Sequence, residues 1–223
     1  RNQPLVTTNQ AAKKLIIFDW DGTLSDSVAR IARCIQLAAD EHQLPQPSFN
    51  QAKEIIGLGL NEAIRQLFPS ADEPMVARFS SSYSAHYRRE DNGPSEFFPG
   101  VISSLEQLRA SGYLLAVATG KSRAGLDRVF AATQLTGFFH ASRCADETRS
   151  KPHPLMLQEL LAEQGVEPQN AVMVGDTEFD MEMAVNANMP RIAVSYGAHD
   201  RSRLLEYQPL ACLDNFSNIL KYV

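Results

Sequence analysis

Cysteine is scarce: Cys34, Cys144 and Cys212 are the three in 223 residues, far apart and without a CxxC pair. An odd, dispersed set excludes a disulfide framework and a zinc knuckle, and fits a reducing compartment. Basic residues are in deficit, 21 Lys and Arg against 26 Asp and Glu, for a formal net charge of -5. A surface that coats nucleic acid needs the opposite balance, because each phosphate it neutralises takes a cation. No apolar run approaches the roughly 20 residues that span a bilayer, and residues 1–14 have no signal-peptide core, so a soluble cytoplasmic protein with no membrane partner is expected. The chain starts at Arg1 instead of methionine, which leaves room for native residues ahead of it. Repeats and low-complexity tracts are absent, and a hydrophobic fraction of 44% with 21% charged residues is that of an ordinary globular protein.

What is present is an alternation of short apolar runs with helical patterns. Residues 14–18 (KLIIF) read as a strand buried on both faces, and similar runs recur at Tyr113–Ala118, Ala171–Val174 and Arg191–Ser195. Between them Val101, Leu105 and Leu108 mark one helix face before Gly112, and Leu155, Leu157, Leu160 and Leu161 another before Gly165. Strand and helix in turn predict an α/β fold with a parallel, Rossmann-like sheet. Residues 26–96 break the alternation, since Leu60, Ile64 and Leu67, then Met75, Phe79, Tyr83 and Tyr87, recur at helical spacing. Ser48 with Gln51 supplies a capping box, Pro74 suits a first helical turn, and DNGPSEFFPG at 91–100 reads as a linker. The expected organisation is a core of residues 1–25 and 97–223 carrying an inserted α-helical cap of residues 26–96.

Chemistry concentrates where the first strand ends, in FDWDGTLSDS at 18–27. Asp19 and Asp21 stand two residues apart at a carboxyl strand end, the place where open α/β sheets bind ligands. Such close carboxylates repel unless a cation lies between them, and an oxygen-rich site with few protein ligands suits Mg²⁺. A solvated acidic loop is the alternative for a DxD taken alone. Later segments tip the balance: LLAVATGKS at 114–122 ends a strand at Thr119-Gly120, SKPHP at 150–154 supplies Lys151, and MVGDTEFDM at 173–181 supplies Asp176 and Asp180. A lysine opening a helix is poorly placed against the dipole, which favours a functional role for Lys151. Thr119 directly before Gly120 suits phosphate contact through hydroxyl and amide.

In this order the segments resemble the haloacid-dehalogenase superfamily, in its phosphoglycolate phosphatase-like branch, and the resemblance covers essentially the whole chain. Its first motif, DxDGT, is present as Asp19-Trp20-Asp21-Gly22-Thr23. The resemblance implies a Mg²⁺-dependent phosphatase acting on a small phosphorylated metabolite through an aspartyl-phosphate. Asp19 is then the nucleophile and a metal ligand. Asp21 is the acid and base, binding metal through its backbone carbonyl. Thr119, Gly120 and Lys151 hold the phosphate, Asp176 ligates the metal, and Asp180 supports the metal waters or orients Lys151. A sugar phosphomutase of the same superfamily is the alternative reading. A non-catalytic phosphate-binding module is disfavoured by the intact acids, and a phosphorelay receiver has no place for so long an insertion. Either a monomer or a homodimer is compatible.

Other signals are discounted. TGKS at 119–122 ends like a P-loop, but Leu115 stands where the pattern needs glycine. GLGLNE at 57–62 puts Glu62 at the third glycine of GxGxxG, and reads as a turn or a substrate-facing loop, with Leu58 and Arg65 expected toward the leaving group. His140 and Cys144 lack a second pair to complete a zinc site. His42, His86 and His199 are expected at the surface, His153 near the site without a role, and Arg88 and Arg89 at a helix end that could grip an anion.

Overall fold

The computed structural model describes residues 14–89 and 93–223. Residues 1–13 of the expected core and Asp91–Asn92 of the expected linker lie outside the described residues. The strands are β1 (Leu15–Phe18), β2 (Leu114–Thr119), β3 (Ala141–Cys144), β4 (Ala171–Gly175), β5 (Arg191–Val194) and β6 (Cys212–Leu213). They form one parallel sheet in the order β3-β2-β1-β4-β5-β6. That order reverses direction between β1 and β4, and a crevice opens at the carboxyl ends of strands at such a switch point. Asp19 follows β1, Asp176 follows β4, and the amide of Asp19 donates to the Val174 carbonyl at 2.9 Å. The catalytic candidates therefore stand side by side as a consequence of strand order.

Both faces of the sheet are covered, which is why β1 and β4 are apolar throughout. Ile16, Phe18, Leu115 and Val117 pack under α5 (Val101–Ala110) and α6 (Arg123–Ala132). Leu15, Ile17, Ala116 and Met173 pack against α7 (Leu155–Gln164) and α8 (Glu178–Asn186) on the other face. Gly165 ends α7 in the left-handed region at φ 64°, where a residue without Cβ is unstrained. Thr177 opens α8 with a capping box closed by Asp180, so one acid serves helix and site together.

The insertion holds α1 (Val28–Glu41), α2 (Phe49–Glu54), α3 (Leu60–Leu67) and α4 (Glu73–Arg89). Its own apolar cluster includes Ile31, Ile35, Ile56, Ile64, Val76 and Phe79, joined by Ala198 from the segment after β5. Ser48 and Gln51 form the expected capping box at α2. Where the chain leaves and re-enters the sheet region, Ser25 and Phe97 form an antiparallel bridge, and the Asp26 amide donates to Glu96 O at 2.8 Å. Among the described residues no helix is long and apolar enough to cross a membrane.

Candidate active site

Lys151 enters the site from the turn before α7, with its side chain fully buried. Its Nζ donates to Asp19 Oδ1 at 2.8 Å and to Asp180 Oδ1 at 2.7 Å. Burial alone would depress this ammonium, but the carboxylates of Asp180 and Asp19 outweigh it and raise its pKa. Asp180 Oδ2 accepts the amides of Asp176 and Thr177, each at 3.1 Å, and the Thr177 hydroxyl at 2.9 Å. Asp180 is thus fully engaged, half of it on the lysine and half on the start of α8.

Asp176 is held as firmly. Its Oδ1 accepts the Thr23 hydroxyl at 2.9 Å and its Oδ2 the Ala198 amide at 2.7 Å. Asp19 differs, because its Oδ2 is buried with no hydrogen-bond partner. Burial first, then the charge of Asp180, pushes Asp19 well above the ordinary carboxylate range, with Lys151 pulling the other way. Asp176 is raised to about 6 by burial first and Asp180 second. Asp19, Asp176 and Asp180 offer carboxylate oxygens within 4.8 Å of one another. A buried orphan oxygen within a cluster of hard donors, where ionisation is disfavoured, is what a divalent cation would satisfy.

Asp21 lies toward solvent from this cluster. Its Oδ1 accepts the Ser27 hydroxyl at 2.6 Å, and Lys121 Nζ approaches both oxygens at 3.3–3.4 Å. The Lys121 ammonium also lies 4.8 Å from the centroid of the Tyr87 ring of α4. Burial lowers the Lys121 pKa, but Asp21 and Tyr87 reverse this and leave it raised. Thr119 is buried, and its Oγ1 accepts the Lys121 amide at 3.1 Å, leaving its own proton free to donate. Above these residues lies a cavity of about 870 Å³, with Asp19, Asp21 and Lys121 on its floor and Ile56, Leu58 and Tyr87 among its walls.

Gly120 explains how close the insertion comes. A Cβ there would lie 2.5 Å from the Leu58 carbonyl oxygen and 2.6 Å from that of Gly57, so only glycine fits. The Gly59 amide also donates to Ser150 Oγ at 2.9 Å, one residue before Lys151. Residues 57–59 are therefore a loop facing the cavity, with Leu60 and Asn61 opening α3, and Leu58 lines the cavity. Arg65 does not reach there. Its guanidinium pairs with Glu73 at 3.0 and 3.1 Å on the exposed side of α3, which corrects the expectation that it faces a leaving group. Arg88 borders the cavity, as does Arg30 of α1, whose guanidinium lies 4.3 Å from the Tyr87 ring centroid.

The surface expectation for His199 is overturned: it is buried, because its ring bridges two backbone groups of different elements. His153 closes its own turn, accepting the Leu155 amide at 3.1 Å. The sequence reading passes over Lys121, since TGKS reads there as the tail of a P-loop; a lysine two residues past the hydroxyl strand end is the signal that marks it.

A family profile described as haloacid dehalogenase-like hydrolase matches residues 16–194. "Probable phosphatase IndB" of Dickeya dadantii is 34% identical over 213 residues, covering 93% of this chain and 92% of its own. A phosphoglycolate phosphatase of Aliivibrio fischeri is 31% identical over 215 residues, covering 93% and 95%. Among solved structures, one described as a predicted phosphoglycolate phosphatase from Haemophilus somnus superposes with a TM-score of 0.81 at 29% identity, over 94% of this chain and 97% of that one.

Proposed function

Because the chain belongs to the haloacid dehalogenase-like hydrolase family, we propose that it is a Mg²⁺-dependent phosphatase that hydrolyses a small phosphate monoester through an aspartyl-phosphate on Asp19. The observation that carries this reading is Asp19 itself: a buried strand-end carboxylate with one oxygen on Lys151 and the other unpartnered, inside a cluster of acids. Asp19, Asp176 and the backbone carbonyl of Asp21 would hold the cation, and Asp180, already spent on Lys151 and two amides, would act through the lysine. When bound, Mg²⁺ supplies positive charge that offsets repulsion between the incoming phosphate and the carboxylates.

A carboxylate oxygen of Asp19 attacks phosphorus and the bond to the ester oxygen breaks, while that oxygen takes a proton from Asp21. Lys151 and the Thr119 hydroxyl, with the Gly120 amide, bind the phosphoryl oxygens as charge moves onto them. Water then attacks the aspartyl-phosphate, giving its proton to Asp21, and inorganic phosphate leaves with the Asp19 carboxylate restored. Residues 26–96 act as a cap that encloses the leaving group and excludes water.

Phosphoglycolate is the first candidate substrate, from the names of the relatives. A phosphate-release screen with Mg²⁺ across phosphoglycolate, sugar phosphates, nucleotides and pyrophosphate tests both levels. Release from any ester that disappears with EDTA supports the class, and the highest kcat/KM names the substrate. Absence of metal-dependent release from the whole panel would overturn the reading.

A further inference from the structure

We propose that His199 and Arg203 are positioning residues, which with Glu54 and Glu178 latch the cap loop at 55–59 onto the catalytic core. The proposal rests on the phosphatase reading only for the consequence drawn for substrate. The His199 side chain has no solvent exposure. Its Nδ1 faces the Glu178 amide at 3.0 Å, and since an amide can only donate, the ring hydrogen sits on Nε2. Nε2 then donates to the Glu54 carbonyl at 3.0 Å, at the end of α2. One imidazole so joins the first residue of α8 to the cap.

Arg203, in α9 (Arg201–Leu205), bridges the same two elements a second time. Its Nη1 donates to both carboxylate oxygens of Glu54 at 2.8 Å, its Nε donates to Glu178 Oε2 at 2.7 Å, and its Nη2 also reaches that oxygen. Planar forked geometry makes arginine suited to holding two carboxylates at once. Immediately beyond Glu54 the chain enters the loop that covers Gly120 and bonds Ser150. On the core side, the amides of Ala198 and His199 donate to Asp176 Oδ2 at 2.7 Å and to Asp176 O at 3.3 Å. The segment that fastens the cap is therefore the segment that holds a metal-cluster carboxylate. Neither His199 nor Arg203 borders the cavity, so they act on substrate through the position of Leu58.

Hydrogen exchange on the Mg²⁺-treated full chain tests the latch without requiring turnover. Glu54 is exposed, so Glu54→Gln keeps the fold, and Arg203→Met removes the same pairing from the core side. Each should raise amide exchange across 55–60 about fivefold, the scale of a partly exposed ion-pair network, and the double variant should add little to the larger single effect. On the best ester, KM should rise by a similar factor with kcat within about twofold, because the phosphate site is untouched. Unchanged exchange at 55–60 in both variants overturns the proposal, as does a uniform rise along the whole chain, which would mark a merely structural role. A wild-type protein inactive on every ester would overturn the phosphatase reading and leave the exchange result to decide the latch.

Discussion

At and beneath the floor of the cavity the carboxylates of Asp19, Asp21, Asp176 and Asp180 all accept protein donors, with only Oδ2 of Asp19 among them left unpartnered and buried. The walls contributed by the insertion are built otherwise, from aliphatic side chains and the rings of Tyr83 and Tyr87 with Arg30, Glu62 and Arg88 set among them. A floor so fully committed in hydrogen bonds has one working geometry, and a change in it should be felt by every substrate alike. The apolar part of the wall tolerates replacement by degrees and should be felt through the shape of the leaving group. On the proposed function, rigidity and selectivity would thereby fall to different stretches of chain.

The sharpest way to break that contrast is Asp19→Asn. It should lower kcat/KM on every ester by on the order of 10⁴ or more while circular dichroism stays that of the wild type. Appreciable turnover of even one ester by the folded variant would refute covalent catalysis. Lys151→Met comes next, since it strands the buried charges of Asp19 and Asp180. A loss of about 3–5 kcal/mol in urea unfolding is expected, and a value under about 1 kcal/mol would mean the floor is less rigid than its bonds imply.

A smaller effect follows from the raised carboxylates. The folded pKa of Asp176, about 6, exceeds the ordinary value of 3.8, and Asp19 is raised too. In that direction the folded state binds more protons between the two values, so their contribution is complete below about pH 4 and is lost as pH rises through the folded pKa. Melting with EDTA and with Mg²⁺ should show metal stabilisation growing from pH 5 to pH 7. A constant difference would argue against a cation at this cluster.

On the wall, Leu58→Ala should change kcat/KM by up to roughly tenfold among natural esters and least on p-nitrophenyl phosphate. Equal loss throughout the panel would place Leu58 with the floor. Arg65→Ala should change every ester by less than about twofold, because its exposed pairing with Glu73 lies outside the cavity. A selective defect there would restore it to the leaving-group wall.

The parts legible in the sequence are those where local pattern and burial coincide. β1, β2, β4 and β5 announce themselves as apolar runs because the sheet is covered on both faces, and Asp19, Thr119 and Asp176 stand out because each sits at or just past such a run. β6 has two residues, too few to show a pattern, and β3 is an edge strand whose partial burial blurs its alternation. His199 and Arg203 are illegible for another reason. Their partners Glu54 and Glu178 lie far away in sequence, and only tertiary packing brings them together. Arg65 shows the converse error, in which a plausible loop neighbour turns instead to an acid, Glu73, at the start of the next helix.

Ser25 and Phe97 sit paired where the chain departs from the sheet and comes back, with Phe98 N donating to Leu24 O at 3.0 Å alongside. A stretch whose two ends already touch can be lengthened, shortened or exchanged at an entropic cost that grows only with the logarithm of its length. The ribbon works as a socket: splicing residues 25 and 97 through a tight turn would leave the order of the strands undisturbed, and a foreign helical segment with adjacent termini could be plugged in its place. If the proposed division of roles holds, new substrate ranges should be accessible to this scaffold by transplantation at a single point, without any alteration to the strand ends proposed to perform the reaction.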